Sequence, residues 1–225
     1  PGVANYFASS FVNGGDYCAI LVKTREGRPI KIEGNTGSSV TNGRTSARAQ
    51  AMVLSLYDTR RIQNAGTIEN GEVKKLSWTD LDNKIKGQLQ LGGNVRFITN
   101  TIISPTAKQA LAEFTAAYPN TKVVTYDPVS SAALLAANEQ SFGVRGIPNY
   151  KFGEADVIVS FGADFLGTWI SPLEYARDYA AKRRIKSLKG ATMSRHYQVE
   201  SHMSLTGSNA DNRILVKPSE QGAAI

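Results

Sequence analysis

A single cysteine, Cys18, stands in 225 residues, which excludes any intrachain disulfide and leaves no cysteine-rich cage for zinc or an iron–sulfur cluster. Histidine is almost as scarce, with only His196 and His202 available as imidazole ligands or bases. No apolar run approaches the roughly 18 residues that a membrane crossing requires. The opening PGVANYFASSFVNGGD lacks the basic region, continuous apolar stretch and small-residue cleavage site of a signal peptide, so it leaves export undecided. There is no Walker loop, no low-complexity tract and no internal repeat.

What is present is ordinary for a globular chain: 41% hydrophobic and 20% charged residues, enough for one large domain or one and a half smaller ones. Twenty-six basic against nineteen acidic residues give a net charge of +7, which favours an acidic partner. The cations are scattered, however, and only Lys182, Arg183, Arg184, Lys186 and Lys189 cluster. That cluster falls at the end of an expected helix, where positive charge suits the dipole and faces water. Without zinc-finger spacing or an aromatic RNA-binding signature, no nucleic-acid partner is expected.

Period-two alternation over residues 19–33, broken at Glu26-Gly27, predicts a β-hairpin. A Gly/Ser/Thr/Asn-rich loop then leads to a helix over 47–57. From Ser77 onward helices and strands alternate. Ser77 caps a helix whose Trp78, Leu81, Ile85 and Leu89 stripe should pack on a sheet. A strand over 94–98 is followed by a helix begun by Ser104-Pro105, with Ala107, Leu111, Phe114 and Tyr118 facing inward. A strand over 122–126, a helix over 130–140 and a buried strand over 155–161 come next. Ser171-Pro172-Leu173-Glu174 combines a proline start with a capping box. Residues 213–216 read as a strand, and a helix starting at Pro218 breaks off within a turn, which suggests part of a longer polypeptide. The expected architecture is α/β: residues 1–75 form a β-hairpin and helix region, and residues 76–225 a Rossmann-like, doubly wound, mostly parallel sheet.

Ligands of such sheets bind beyond the carboxyl ends of the strands. The stretch Phe161-Gly162-Ala163-Asp164-Phe165-Leu166-Gly167 sits there, but its spacing is not G-x-G-x-x-G. Asp164 places a carboxylate where a pyrophosphate would lie, and Phe165, Leu166 and Trp169 crowd the turn. A filled apolar loop is the expectation. His196, Glu200 and His202 suggest a metal set, yet lack zinc-helix spacing and a third strong ligand. Ser201, His202 and Asp211 suggest a triad, yet lack a nucleophile elbow. Residues 206–211, with Gly207 and Asn209, read as a polar loop.

The hairpin YCAILVKTREGRPIKIEGN, the segment TNGRTSARAQAMVLSLYDTRRI, the Trp78 helix and the strand-loop ADVIVSFGAD follow the N-terminal order of molybdopterin oxidoreductases. SFGADFLGTWISPLEYARDYA and HYQVESHMSLTGSNADNRILVKPSEQ carry a closer likeness. On these strings the chain resembles the large iron–sulfur, molybdopterin-oxidoreductase-like subunit of bacterial alternative complex III. In cofactor-bearing relatives, spaced cysteines around the first hairpin hold a [4Fe–4S] cluster. Here the resemblance leaves Cys18 alone, a packed small residue.

The resemblance implies a non-catalytic structural module of a membrane-associated quinol:electron-acceptor oxidoreductase. The crevice of Gly162, Asp164, Gly207 and Asn209 would be vestigial, with no cofactor in this portion and iron–sulfur clusters in the remainder of the subunit. Implied partners are multihaem cytochrome c and quinol-binding membrane subunits, on the periplasmic side of a bacterial inner membrane. The competing expectation is an oxidoreductase domain that binds a dinucleotide or molybdopterin in the same crevice.

Overall fold

The computed structural model describes residues 2–13, 16–185 and 187–225. Its elements run β1 (Asn5–Asn13), β2 (Asp16–Arg25), β3 (Arg28–Gly34), α1 (Ala47–Ser55), β4 (Gly66–Glu69), β5 (Glu72–Lys75), α2 (Trp78–Gln90), β6 (Val95–Thr99) and α3 (Pro105–Ala117). They continue as β7 (Thr121–Thr125), α4 (Ala132–Phe142), β8 (Val157–Phe161), α5 (Pro172–Arg183), β9 (Arg195–Glu200), α6 (Leu205–Ser208), β10 (Asn212–Leu215) and α7 (Gln221–Ala224). The result is a mixed α/β fold with an N-terminal antiparallel three-stranded sheet, followed by small parallel sheets that alternate with helices. Two compact units divide the chain, one of Pro1–Gln50 with Leu134–Ile225, the other of Ala51–Ala133.

In the first unit the expected hairpin is the β2–β3 pair. Glu26 and Gly27 turn it with φ of +50° and +74°, the two positive values that a two-residue type I′ turn requires. A register shift at Lys23/Thr24 bends the pair. The N-terminal strand β1 was not anticipated. It pairs with β2 along its whole length, from Asn5 opposite Thr24 to Asn13 opposite Asp16. Polar and apolar residues mix on both of its faces, which hides the alternation that marks a strand.

Cys18, Ile20 and Ile32 are buried on the covered side of this sheet, as is Ala49 of α1. Ser46 joins the two elements: its Oγ accepts the Ala49 N–H at 3.2 Å, capping α1, and donates to Asp16 Oδ2 at 3.1 Å. Cys18 Sγ lies 3.7 Å from Ser46 Oγ and 3.9 Å from Asp16 Oδ1, so the thiol is packed against a polar pair rather than in a purely apolar pocket.

The same unit holds a parallel sheet in the order β10-β9-β8. The β8–α5–β9 stretch is one strand–helix–strand crossover, and β9–α6–β10 is a second, much shorter one. β8 is not buried throughout, as the apolar run suggested. Ile158 and Ser160 are buried, while Val157, Val159 and Phe161 are exposed, because α5 and its aromatic neighbours cover one face only. Arg177 of α5 donates to the carbonyl of Val40 at 3.1 Å and fixes the helix to the loop after β3.

α5 starts at proline as expected, but the capping box at Ser171 does not form. Ser171 takes φ −137° and ψ 68° and makes no side-chain cap, and Glu174 turns to Arg177 at 3.9 Å instead. Two of the cations at the end of α5 are paired, Lys182 with the exposed Asp156 at 2.9 Å and Arg183, mostly buried, with Asp211 at 2.7 Å; Lys186 lies outside the described residues.

In the second unit, β4 and β5 form an unanticipated hairpin turned by Asn70 and Gly71, with φ of +53° and +84°. Ser77 and Ser104 cap α2 and α3 through the N–H groups of Asp80 and Ala107, at 3.1 and 3.3 Å. β6 and β7 pair in parallel with α3 as the crossover, and Phe114 packs between Phe97 and Tyr118, at ring-centre distances of 6.4 and 5.0 Å. The α2 stripe covers less than expected. Leu81 and Leu89 are half-buried, whereas Trp78 remains 72% exposed and Ile85 48%.

The two serines that precede helices α1 and α5 should therefore respond differently to substitution. Ser46→Ala removes a cap and the partner of Asp16, and should lower stability by about 1 kcal/mol in urea melts. Ser171→Ala removes no cap bond and should stay within about 0.5 kcal/mol of the parent.

Candidate functional site

The crevice beyond the carboxyl ends of β8 and β9 is where a parallel sheet ordinarily takes a ligand. Gly162 follows β8 with φ +63° and donates its N–H to Val199 O at 2.8 Å, which keeps the first residue of the loop on the sheet. The chain then turns tightly around Asp164, whose carbonyl accepts the N–H groups of Gly167, Thr168 and Trp169 at 2.9–3.0 Å. On the other side of the crevice, residues 206–211 are not a simple polar loop. Ser204 caps the short helix α6 through the Gly207 N–H at 2.9 Å, and Asn209 closes it by donating from Nδ2 to Leu205 O at 2.8 Å.

Two amides at the start of α6, those of Ser204 and Thr206, are directed at the chain's own carboxylates. Asp164 Oδ1 accepts from Thr206 N–H at 3.0 Å and Thr206 Oγ1 at 2.8 Å, and Thr206 Oγ1 in turn accepts the Leu166 N–H at 2.9 Å. Glu200, at the end of β9, accepts from Ser204 N–H at 3.2 Å, Ser204 Oγ at 2.6 Å and Arg213 Nε at 2.5 Å. Its side chain is 1% exposed. Burial alone would raise the Glu200 pKa, but the Ser204 and Arg213 contacts together outweigh it and hold the carboxyl below its usual range. A Cβ placed on Gly207 would fall within the Glu200 carboxylate, so glycine is required for this close approach. Asp164 and Gly207 of the predicted crevice thus meet around α6, with Gly162 at its sheet side. Asn209 lies at the opposite end, its carbonyl accepting from Tyr179 OH at 3.0 Å.

Phe165 fills the space under the turn. It is 1% exposed, stacks on Phe152 at 4.2 Å between ring centres, and meets Tyr179 and His196 at 5.7 and 5.3 Å. Trp169 packs against Tyr150 at 5.0 Å, as the crowded loop predicted. Burial pushes the Tyr175 hydroxyl up to about 12, with the Glu174 charge adding to it.

His196 is held at both ring nitrogens. Nδ1 lies 3.3 Å from Tyr179 Oη, which also stands 3.0 Å from Asn209 O, and Nε2 lies 3.2 Å from Gln198 Oε1, the ring tautomer setting which group donates in each contact. Burial holds the imidazole pKa below 6.5. His196 is therefore a satisfied core histidine.

The other candidates are not assembled into sites. His202 is exposed, and Ser201 Oγ accepts from Gln221 Nε2 at 2.6 Å. Asp211 is held by Arg183 at 2.7 and 2.8 Å and by the His196 N–H at 2.8 Å. The Arg183 hydrogen bonds lower its pKa to about 2 against the opposing effect of burial. Among the described residues, no group of three or more His, Cys, Asp or Glu side chains is placed to hold a metal ion. A four-iron cluster needs about four ligands, and the single thiol of Cys18, packed on Ser46 and Asp16, does not fit one.

Sequence reasoning missed Thr206, Arg183 and Arg213, which complete the crevice and its floor. Their roles depend on pairings across 42, 28 and 13 residues, which no local spacing encodes. A second strand-end cleft, of about 490 Å³, lies within the 51–133 unit, lined by Thr99, Thr101, Lys108, Leu111, Val123 and Thr125 among others. Its lining offers hydroxyls and one cation, with no carboxylate or imidazole. No protein-family model matches the chain, and no curated protein matches it either.

Two outcomes test this geometry. Gly207→Ala should destabilise the chain, and combining it with Glu200→Ala should cost at least about 1 kcal/mol less than the sum of the single changes, because the methyl then enters the vacated space. In pH-dependent urea melts, the depressed His196 pKa gives stability that is complete above pH 6.5 and falls as pH drops through it. The depressed Asp211 pKa adds a second loss between the ordinary carboxylate value of 3.8 and about 2, which Asp211→Asn should abolish.

Proposed function

We propose that this chain is a scaffold module without a redox centre of its own, part of the large iron–sulfur, molybdopterin-oxidoreductase-like subunit of a bacterial alternative complex III. The observation that carries this reading is the pair of carboxylates, Asp164 and Glu200, bonded to Thr206 and Ser204 at the strand-end crevice. A phosphate or pyrophosphate entering there would meet two anions and find the Ser204, Thr206 and Gly207 amides taken. The lone Cys18 and its polar neighbours support the same reading. So does the sheet face bearing Val157, Val159, Phe161 and Ile214, which are 38–59% exposed on parallel strands of a kind ordinarily covered on both sides.

On this proposal the small parallel sheets belong to a doubly wound, molybdopterin-oxidoreductase-like architecture. The module presents surface to a cluster-bearing portion of the same subunit, and to multihaem cytochrome c and quinol-binding membrane subunits on the periplasmic side of the inner membrane. No helix among the described residues is long and apolar enough to cross a membrane. Electrons pass through the assembly without passing through this module.

Elemental and pterin analysis of the purified chain tests the reading. Iron, molybdenum, tungsten and pterin are expected well below one equivalent, and added NADH or guanosine monophosphate should leave the melting temperature unchanged. A stoichiometric metal or pterin, or a saturable shift with either nucleotide, would overturn the proposal in favour of a cofactor-binding oxidoreductase domain.

A further inference from the structure

β1 stands at the edge of its sheet, in the order β1-β2-β3, with β2 on one side and no further strand among the described residues on the other. Such an edge presents a row of free N–H and C=O groups, and proteins usually blunt it with charge, proline or a bulge. β1 has none of these. Its sequence NYFASSFVN carries no charge, and its register with β2 runs unbroken over nine residues. Phe7 is 58% exposed, Val12 52% and Tyr6 49%.

The strand also reads nearly the same in both directions. Reversal about Ser9 sets Asn5 against Asn13, Tyr6 against Val12, Phe7 against Phe11 and Ala8 against Ser10. We propose that β1 is a self-pairing edge, joining two copies of this chain antiparallel across a twofold axis at Ser9 and extending each three-stranded sheet into a six-stranded one.

The twofold makes every pair but the central Ser9–Ser9 one occur twice. On one face Phe7 of each copy meets Phe11 of the other, flanked by Asn5–Asn13 amide pairs, with Ser9 facing its own copy at the centre. Aromatic cross-strand pairs are among the stronger contributors to strand association. On the other face Tyr6, beneath the Lys23 ammonium at 5.4 Å, meets Val12. An unrelated strand would use the same backbone edge but would not need this symmetry, and the absence of charge lets two copies of a chain of net charge +7 meet here without local repulsion. A contact of one strand pair is small, so the dimer is reversible.

Sedimentation velocity of the 225-residue chain, over a concentration series reaching about 100 μM, reads the association. A concentration-dependent dimer is expected. Phe7→Lys and Phe11→Glu should each weaken it by about tenfold or more, since each change is felt at both symmetric contacts. The double variant Phe7→Lys with Phe11→Glu should recover most of the loss, because each Lys then faces a Glu of the other copy. Circular dichroism checks that each variant keeps its fold. As a second, fold-neutral probe, Ser9→Cys should form a disulfide-linked dimer under mild oxidation, since antiparallel Cα separations of about 4.5–5.5 Å suit a disulfide and Cys18 is buried. A monomer at every concentration, a dimer indifferent to the single changes, or singles that weaken it without recovery in the double would each overturn the proposal.

Discussion

Two internal carboxylates organise the end of the parallel sheet. Asp164 reaches across 42 residues to the amide and hydroxyl of Thr206, and Glu200 reaches Ser204 and Arg213 from the last position of β9. Together they accept the Ser204 and Thr206 N–H groups at the start of α6, a helix of four residues that could not form alone. Without these anions the β9–α6–β10 connection would leave buried N–H groups unsatisfied, at a cost comparable to the hydrogen bonds themselves. The short crossover, the close approach at Gly207 and the direction of the Asp164 turn all follow from where the two charges sit.

Below that layer the packing is aromatic. Phe165, Phe152, Tyr175 and Tyr179 pack in tilted, stacked and edge-on contacts against Ile158, and His196 is drawn into the same cluster as a neutral ring. Arg183 closes one side by lying over the Tyr179 ring at 5.0 Å while pairing with Asp211. Three groups that looked most like catalytic chemistry have partners within the fold: the His196 ring meets Tyr179 and Gln198, Glu200 accepts from Ser204 and Arg213, and Asp211 accepts from Arg183 and the His196 N–H. Polar side chains, several of them far apart in sequence, close a short connection.

Local chemistry was legible where it acts over a few residues. The Glu26-Gly27 turn, the Ser77 and Ser104 caps, and the proline starts of α3 and α5 all depend on neighbours within a turn, and each lies where its residues predicted. β1 was not legible, because mixed polarity on both faces erases the period. The Ser171 capping box failed because Ser171 takes φ −137° and ψ 68°, away from the extended conformation of a cap, and α6 was read as a loop because its anchors are the distant Asp164 and the buried Glu200. At the candidate site, the crowding by Phe165 and Trp169 could be foreseen from residue size, but the partners of Asp164 could not.

The sequence by itself determined that the chain is α/β, that one thiol cannot cage an iron cluster, and where helices begin and hairpins turn. These are consequences of composition and short-range geometry. Only the tertiary structure decided that Asp164 and Glu200 cap α6, that His196 is neutral and enclosed, and that one face of β8 is bare. Each of those outcomes depends on which distant groups are brought within hydrogen-bonding or van der Waals distance, and such proximity is a property of the folded chain as a whole.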